Sequence, residues 1–139
     1  MDIILPEHTP ELLEQTFGAT YLYDHPLYSL MVEPTEIPWL LVIPKQPLTD
    51  ASYIEKLYSN IYQLIHTLQQ AGFSPHYNLA KLGNQNPHLH IHIIFRTEED
   101  SAWPSPVWCQ EPFQHSDQVP AQLKAALSDF FTYKIQSNT

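Results

Sequence analysis

The segment His88-Leu89-His90-Ile91-His92-Ile93-Ile94-Phe95 decides how this chain is read. Side chains two apart on a β-strand share a face. A strand over these residues therefore points His88, His90 and His92 one way, and Leu89, Ile91 and Ile93 the other. The branched aliphatics anchor the strand in a core, and the opposite face carries imidazoles whose α-carbons are about 6.6 Å apart. Three roles fit such a row. It can be the polar face of a half-exposed strand, though histidine is scarce and strict alternation exceeds what a wet surface requires. It can hold a metal. Zinc, however, takes nitrogen ligands at about 2.0–2.1 Å, and the first and third α-carbons lie about 13 Å apart. A straight strand thus offers two ligands readily, and the rest must come from elsewhere; His25, His66 and His76 are available but show no motif spacing. Or the row can handle phosphate without metal. Near neutrality one imidazole can attack phosphorus while another donates hydrogen bonds to phosphoryl or leaving oxygens.

Working outward, the residues before the cluster form a strand over His76 to Leu82 and a polar loop, Gly83-Asn84-Gln85-Asn86-Pro87. Upstream of these, Ile54, Leu57, Tyr58, Ile61, Leu64, Ile65 and Leu68 step by three or four residues. That pattern makes one long helical face, capped by Thr49 or Asp50 and ended at Gly72. Trp39-Leu40-Leu41-Val42-Ile43 is an apolar run of strand length closed by Pro44, and Tyr21–Tyr23 and Leu27–Val32 read as two shorter strands. Thr9, Pro10, Glu11 and Glu14 have the chemistry of a helix start, with Gly18 to end it. After the cluster, Glu98-Glu99-Asp100 reads as a solvated acidic turn. Residues 103–119 form an irregular tail rich in Pro and Trp, and Pro120 opens a final helix through Leu123, Leu127, Phe130 and Phe131. Short turns between the strands favour antiparallel pairing, so the expected class is α+β: one sheet, one long helix packed on it, and shorter terminal helices.

Composition narrows the functional classes. The chain has 139 residues, a length suited to a single domain over 1–139. Six basic and fifteen acidic residues give a net charge of -9, which works against binding a nucleic-acid polymer and leaves room for a small phosphorylated ligand. The single cysteine, Cys109, excludes an internal disulfide. With no leader-like amino terminus and no membrane span, the expectation is a cytoplasmic protein.

His88 to Ile94 fit the pattern His-φ-His-φ-His-φ-φ, with φ apolar, which resembles the signature of the histidine triad (HIT) superfamily. Trp39 to Lys45 is similar to that family's upstream strand. Asn78, Gly83 and Gln85 stand at the distances of its phosphate loop, and Trp103-Pro104-Ser105-Pro106-Val107-Trp108 is similar to the tail of a short bacterial branch. The resemblance spans roughly residues 20 to 108. It implies a five-stranded antiparallel sheet, a homodimer, a small nucleotide substrate, and hydrolysis or nucleotidyl transfer at an α-phosphate with no metal or cofactor. By the same resemblance His90 is the nucleophile and forms a nucleotidyl-histidine, His92 contacts the phosphate and assists the leaving group, and His88 orients the nucleophile. Asn78, Gly83 and Gln85 are the implied substrate-binding residues. The chain departs from the family at two places. Trp39 stands where better-known branches carry a fourth histidine, and Ser29-Leu30-Met31-Val32, with Glu33 the nearest acid, replaces a strand that elsewhere carries an Asp or Asn for ribose. These departures keep open a second reading, a nucleotide-binding module with little turnover; a His-rich metal-binding protein is the third. Arg96, Lys45 and Lys81 read as surface charges. Trp103 and Trp108 read as pins holding the tail to the core, and Trp39 as an aromatic filling a core gap.

Overall fold

The computed structural model describes residues 2–137. The chain runs α1 (Pro10–Phe17), β1 (Thr20–Asp24), β2 (Tyr28–Val32), β3 (Trp39–Pro44), α2 (Ala51–Gln70), β4 (Tyr77–Ala80), β5 (Ile91–Phe95), a single 3-10 turn (Val107–Cys109), α3 (Gln118–Ala126) and α4 (Ser128–Ser137). The strands form one five-stranded sheet in the order β1-β2-β3-β5-β4, antiparallel throughout. The class is α+β, as the order of elements predicts.

Local chemistry sets the element ends. Thr9 Oγ1 accepts from Leu12 N–H and Pro10 fills the first turn of α1, while Gly18, at φ 68°, closes it in the left-handed region. Asp50, and not Thr49, caps α2 by accepting from Tyr53 N–H at 3.0 Å. The α2 stripe buries Tyr53, Leu57, Ile61, Leu64, Ile65 and Leu68. It also buries Asn60, which accepts from the Tyr28 hydroxyl at 2.5 Å, so that neither polar group is stranded in the core.

The sheet is covered on both faces, which explains why every residue of β2 and β3 is buried. On one face Leu30, Leu40, Val42, Ile91, Ile93 and Phe95 pack against α2 and against Leu123, Leu127 and Phe131. On the other, Met31, Trp39, Leu41, Ile43 and Ile94 pack against Leu5, Leu13 and Val107. His92 projects from β5 on this second face, in the same parity as Ile94.

Several boundaries differ from the sequence expectation, three of them by more than one residue. β5 starts at Ile91, not His88, because β3 pairs with it only from Val42–Ile91 onward; His88 instead bridges Ile3 in parallel. β4 is shorter than His76–Leu82. The final helix is two helices meeting at Leu127, with Pro120 inside the first turn of α3 and not at its first position.

Candidate active site

His92 is the most firmly held histidine of the cluster. In β5 it lies opposite Leu41 of β3 and Ala80 of β4, and it is buried. Trp39, two residues before Leu41 and on the same face, donates its indole Nε1–H to His92 Nδ1 at 3.0 Å. An imidazole nitrogen that accepts cannot carry a proton, so the proton of neutral His92 sits on Nε2. Burial, and then the neighbouring His90, push the His92 pKa down to about 4. At neutral pH His92 is therefore a fixed hydrogen-bond donor and not a cation. Trp108 closes over it, its ring edge-on at 5.0 Å from His92 and 5.9 Å from Trp39. The two tryptophans thus do more than fill and pin: one orients His92 and both line the cavity beside it.

His90 has the opposite tautomer. Its Nδ1 lies 2.6 Å from the His88 carbonyl oxygen. A carbonyl can only accept, so Nδ1 carries the proton and Nε2 of the neutral ring keeps its lone pair. The His90 and His92 rings are 4.8 Å apart at 72°, and Phe17 of α1 packs against both His88 and His90. His88 contributes through its carbonyl. Its ring turns to Asn86, whose Oδ1 accepts from the His88 backbone N–H and meets ring Nδ1, each at 3.0 Å. Asn86 also donates from Nδ2 to Thr16 C=O at the end of α1. In the sequence Asn86 reads only as part of a polar loop; an Asn two residues before the first histidine, placed for an Asx turn, is the signal that marks it.

A cavity of about 200 Å³ opens beside the pair of rings. The loop from Leu82 to Asn86, including Gly83 and Gln85, forms one wall. Gly83 takes φ 93°, a conformation that L side chains rarely adopt. Glu33 and Glu111 stand among the other lining residues, and no Lys or Arg lines the cavity among the described residues. Burial, reinforced by Glu111, raises the Glu33 pKa to about 7, so this carboxyl holds its proton for part of the time at neutrality. Among the described residues no three or more His, Cys, Asp or Glu side chains are gathered as a metal ion would need.

Of the six residues singled out in the sequence, the structure brings His90, His92, Gly83 and Gln85 to this cavity and places His88 just behind it. Asn78 is elsewhere. It lies opposite Ile94 on β4, and its Oδ1 accepts from Arg96 at 2.9 Å. Arg96 is not a surface charge: it is 3% exposed, and both Asp100 oxygens, Asn78 and the Ser105 carbonyl accept its protons. Asp100 accordingly leaves the solvated turn expected for it. Its burial favours the neutral acid, yet hydrogen bonds from Arg96, Thr97 and Ala102 hold its carboxyl below the usual range.

The Trp39–His92 bond gives a direct prediction. Trp39→Phe removes the donor and keeps most of the aromatic volume. The expected result is a second His92 tautomer in long-range ¹H–¹⁵N spectra, with stability lowered by about 1 kcal/mol.

Comparison with known proteins identifies the family and the fold. The chain is similar to the histidine triad protein of Bradyrhizobium japonicum, at 29% identity and a TM-score of 0.75, over 89% of this chain and 97% of that one. It is also similar to a histidine triad protein of Marinobacter aquaeolei VT8, at 25% identity and 0.73, over 86% and 94%. A histidine triad protein of Sinorhizobium meliloti 1021, at 22% identity and 0.73 over 88% and 95%, shares the fold. No curated protein matches the sequence. The family model described as the HIT domain matches residues 14–99, from the last turn of α1 to the turn after the triad strand, and the chain belongs to the HIT domain family.

Proposed function

We propose that this protein cleaves a small nucleotide at its α-phosphate through a covalent nucleotidyl-histidine on His90. HIT domain proteins are in general nucleotide-binding hydrolases or transferases. The observation that carries the finer reading is the opposed tautomers of two adjacent rings, a lone pair on His90 Nε2 and a proton on His92 Nε2. His90 Nε2 attacks phosphorus, the bond to the leaving group breaks with its electron pair, and the leaving nitrogen or oxygen takes up a proton from water. The charge that develops on His90 is shared through Nδ1–H with the His88 carbonyl. His92 Nε2–H donates to a phosphoryl oxygen. Water then attacks the same phosphorus and gives up a proton to bulk water, and the His90 Nε2–P bond breaks, releasing the nucleoside monophosphate and returning the lone pair to His90. Gly83 and Gln85 border the phosphate position, and no cofactor enters the scheme.

The test is incubation with nucleoside phosphoramidates and dinucleoside polyphosphates, followed by acid-free quenching and intact-mass measurement. Turnover with a transient mass gain of one nucleotide residue is the expected result. Tight binding of AMP or GMP in a calorimeter with no turnover would replace the proposal by the binding-module reading, which Trp39, standing where a fourth histidine is carried elsewhere, favours.

The same carboxylates set a pH dependence. Above about pH 7 Glu33 ionises beside Glu111, and an incoming phosphate meets two negative charges. Glu33→Gln should lower KM severalfold at pH 8 and flatten its rise with pH. It should also change stability. Folded Glu33 keeps its proton up to about pH 7, while the unfolded chain releases it near pH 4.5, so this group removes stability as pH rises through that window. His8, His25 and His92 are all lowered by burial and act in the opposite sense, withdrawing stability as pH falls below 6.5. Glu33→Gln should therefore steepen the acid-side loss in urea midpoints measured from pH 7 to 4.5.

A homodimer acting in the cytoplasm completes the proposal. The open edge of β4 and the half-exposed Tyr62 on α2 are compatible with a second copy, and sedimentation equilibrium tests it. No helix among the described residues is long and apolar enough to cross a membrane.

A further inference from the structure

The family model begins at residue 14, yet the residues before it reach the site. His88, Leu89 and His90 precede β5, so the sheet ladder does not hold the stretch that carries His90. The amino-terminal segment holds it instead. Ile3 N–H donates to the Pro87 carbonyl at 2.9 Å, and Leu89 N–H donates to the Ile3 carbonyl at 2.8 Å. These two bonds flank His88, whose carbonyl accepts the His90 Nδ1 proton. The segment is anchored at both ends. Asp2 pairs with Lys81 at 2.9 Å, Leu5 is buried in the core beneath the triad face, and His8 Nδ1 meets Ser29 Oγ at 2.8 Å. The Ile3 side chain itself is 44% exposed, so its contribution is made by its backbone.

We infer that the strap from Asp2 to Leu5 positions His90: the two main-chain bonds of Ile3 hold the His88 carbonyl where it fixes His90 as the Nδ1–H tautomer and leaves Nε2 toward the cavity. Ile3 touches no substrate in this scheme; it is a positioning residue acting through His88. The chemistry follows from hydrogen-bond complementarity. A rotated His88 peptide removes the acceptor, and His90 then distributes its proton over both nitrogens, so that part of the population lacks a lone pair on Nε2. The catalytic consequence rests on the reading of His90 as nucleophile, but the tautomer does not.

Ile3→Pro in the whole 139-residue chain deletes the N–H while keeping a side chain, and Ile3→Ala keeps both main-chain bonds. Long-range ¹H–¹⁵N spectra of histidine-labelled protein report the tautomers. The wild type and Ile3→Ala should show His90 as Nδ1–H alone, and Ile3→Pro a mixture of both forms. With a nucleoside phosphoramidate, Ile3→Pro should lower kcat about tenfold and change KM less than twofold, and Ile3→Ala should leave both within twofold. A folded Ile3→Pro protein with His90 still entirely Nδ1–H overturns the inference, and so does an Ile3→Ala protein as mixed as the Pro variant. Should Ile3→Pro not fold, Leu5→Ala, which loosens the anchor, must show the second tautomer for the inference to stand. If the wild type turns over no nucleotide, the functional proposal fails while the spectra still decide the role of the strap.

Discussion

Replacing His90 by alanine is expected to lower turnover of nucleoside phosphoramidates by at least about 10³-fold, the scale on which a covalent nucleophile contributes. The transient nucleotide adduct should disappear from intact-mass spectra of the same reaction. His90 is half-buried and its one hydrogen bond is to a backbone carbonyl, so its removal orphans little and the fold should persist. His92→Ala provides the contrast. It leaves the buried Trp39 N–H without its acceptor, so activity and stability should fall together, with about 1–3 kcal/mol lost from the fold. Equal turnover by wild type and His90→Ala would remove His90 from the mechanism.

Replacing Arg96 by leucine should give the largest loss of stability, about 3–5 kcal/mol, because it leaves the buried Asp100 charge unpaired. For a chain of this length that is a fall in Tm of the order of 10 °C or more. The guanidinium spans both Asp100 oxygens, Asn78 and the Ser105 carbonyl, and it lies 5.9 Å from the Trp103 ring centroid. It thereby ties β4, the end of β5 and the start of the tail together. Arg96→Lys should rescue little, since a single ammonium cannot reproduce the planar fork. Urea unfolding measures both variants, and a loss below 1 kcal/mol for Arg96→Leu would show that the cluster is far weaker than its geometry indicates.

These two residues also show what a sequence discloses and what it hides. The alternation from His88 onward sets His92 on one face and Ile91 and Ile93 on the other, because strand parity is a local property. The α2 stripe, and the Thr9 cap with the Gly18 stop, were legible for the same reason. Arg96 was not, since its partners lie at Asn78, Asp100 and Ser105, and an acidic turn looks solvated until an arginine is buried in it. Trp39 looked like core filling because nothing local reveals that its N–H meets His92, a residue 53 positions away. The start of β5 depended on where β3 ends its pairing, and the break at Leu127 on which residues α3 and α4 bury. Asn78 stood at a plausible distance along the chain, but β4 carries it two pleats beyond His92, to the neighbourhood of Arg96.

The chain has three tryptophans, and two of them, Trp39 and Trp108, stand at right angles to one another against His92. Their emission is therefore a built-in optical gauge of the cavity, since an arriving solute alters the polarity and quenching felt by both indoles. Occupancy can be followed by intrinsic fluorescence at micromolar protein without a label, and Trp103, packed on Arg96, supplies a steadier background signal.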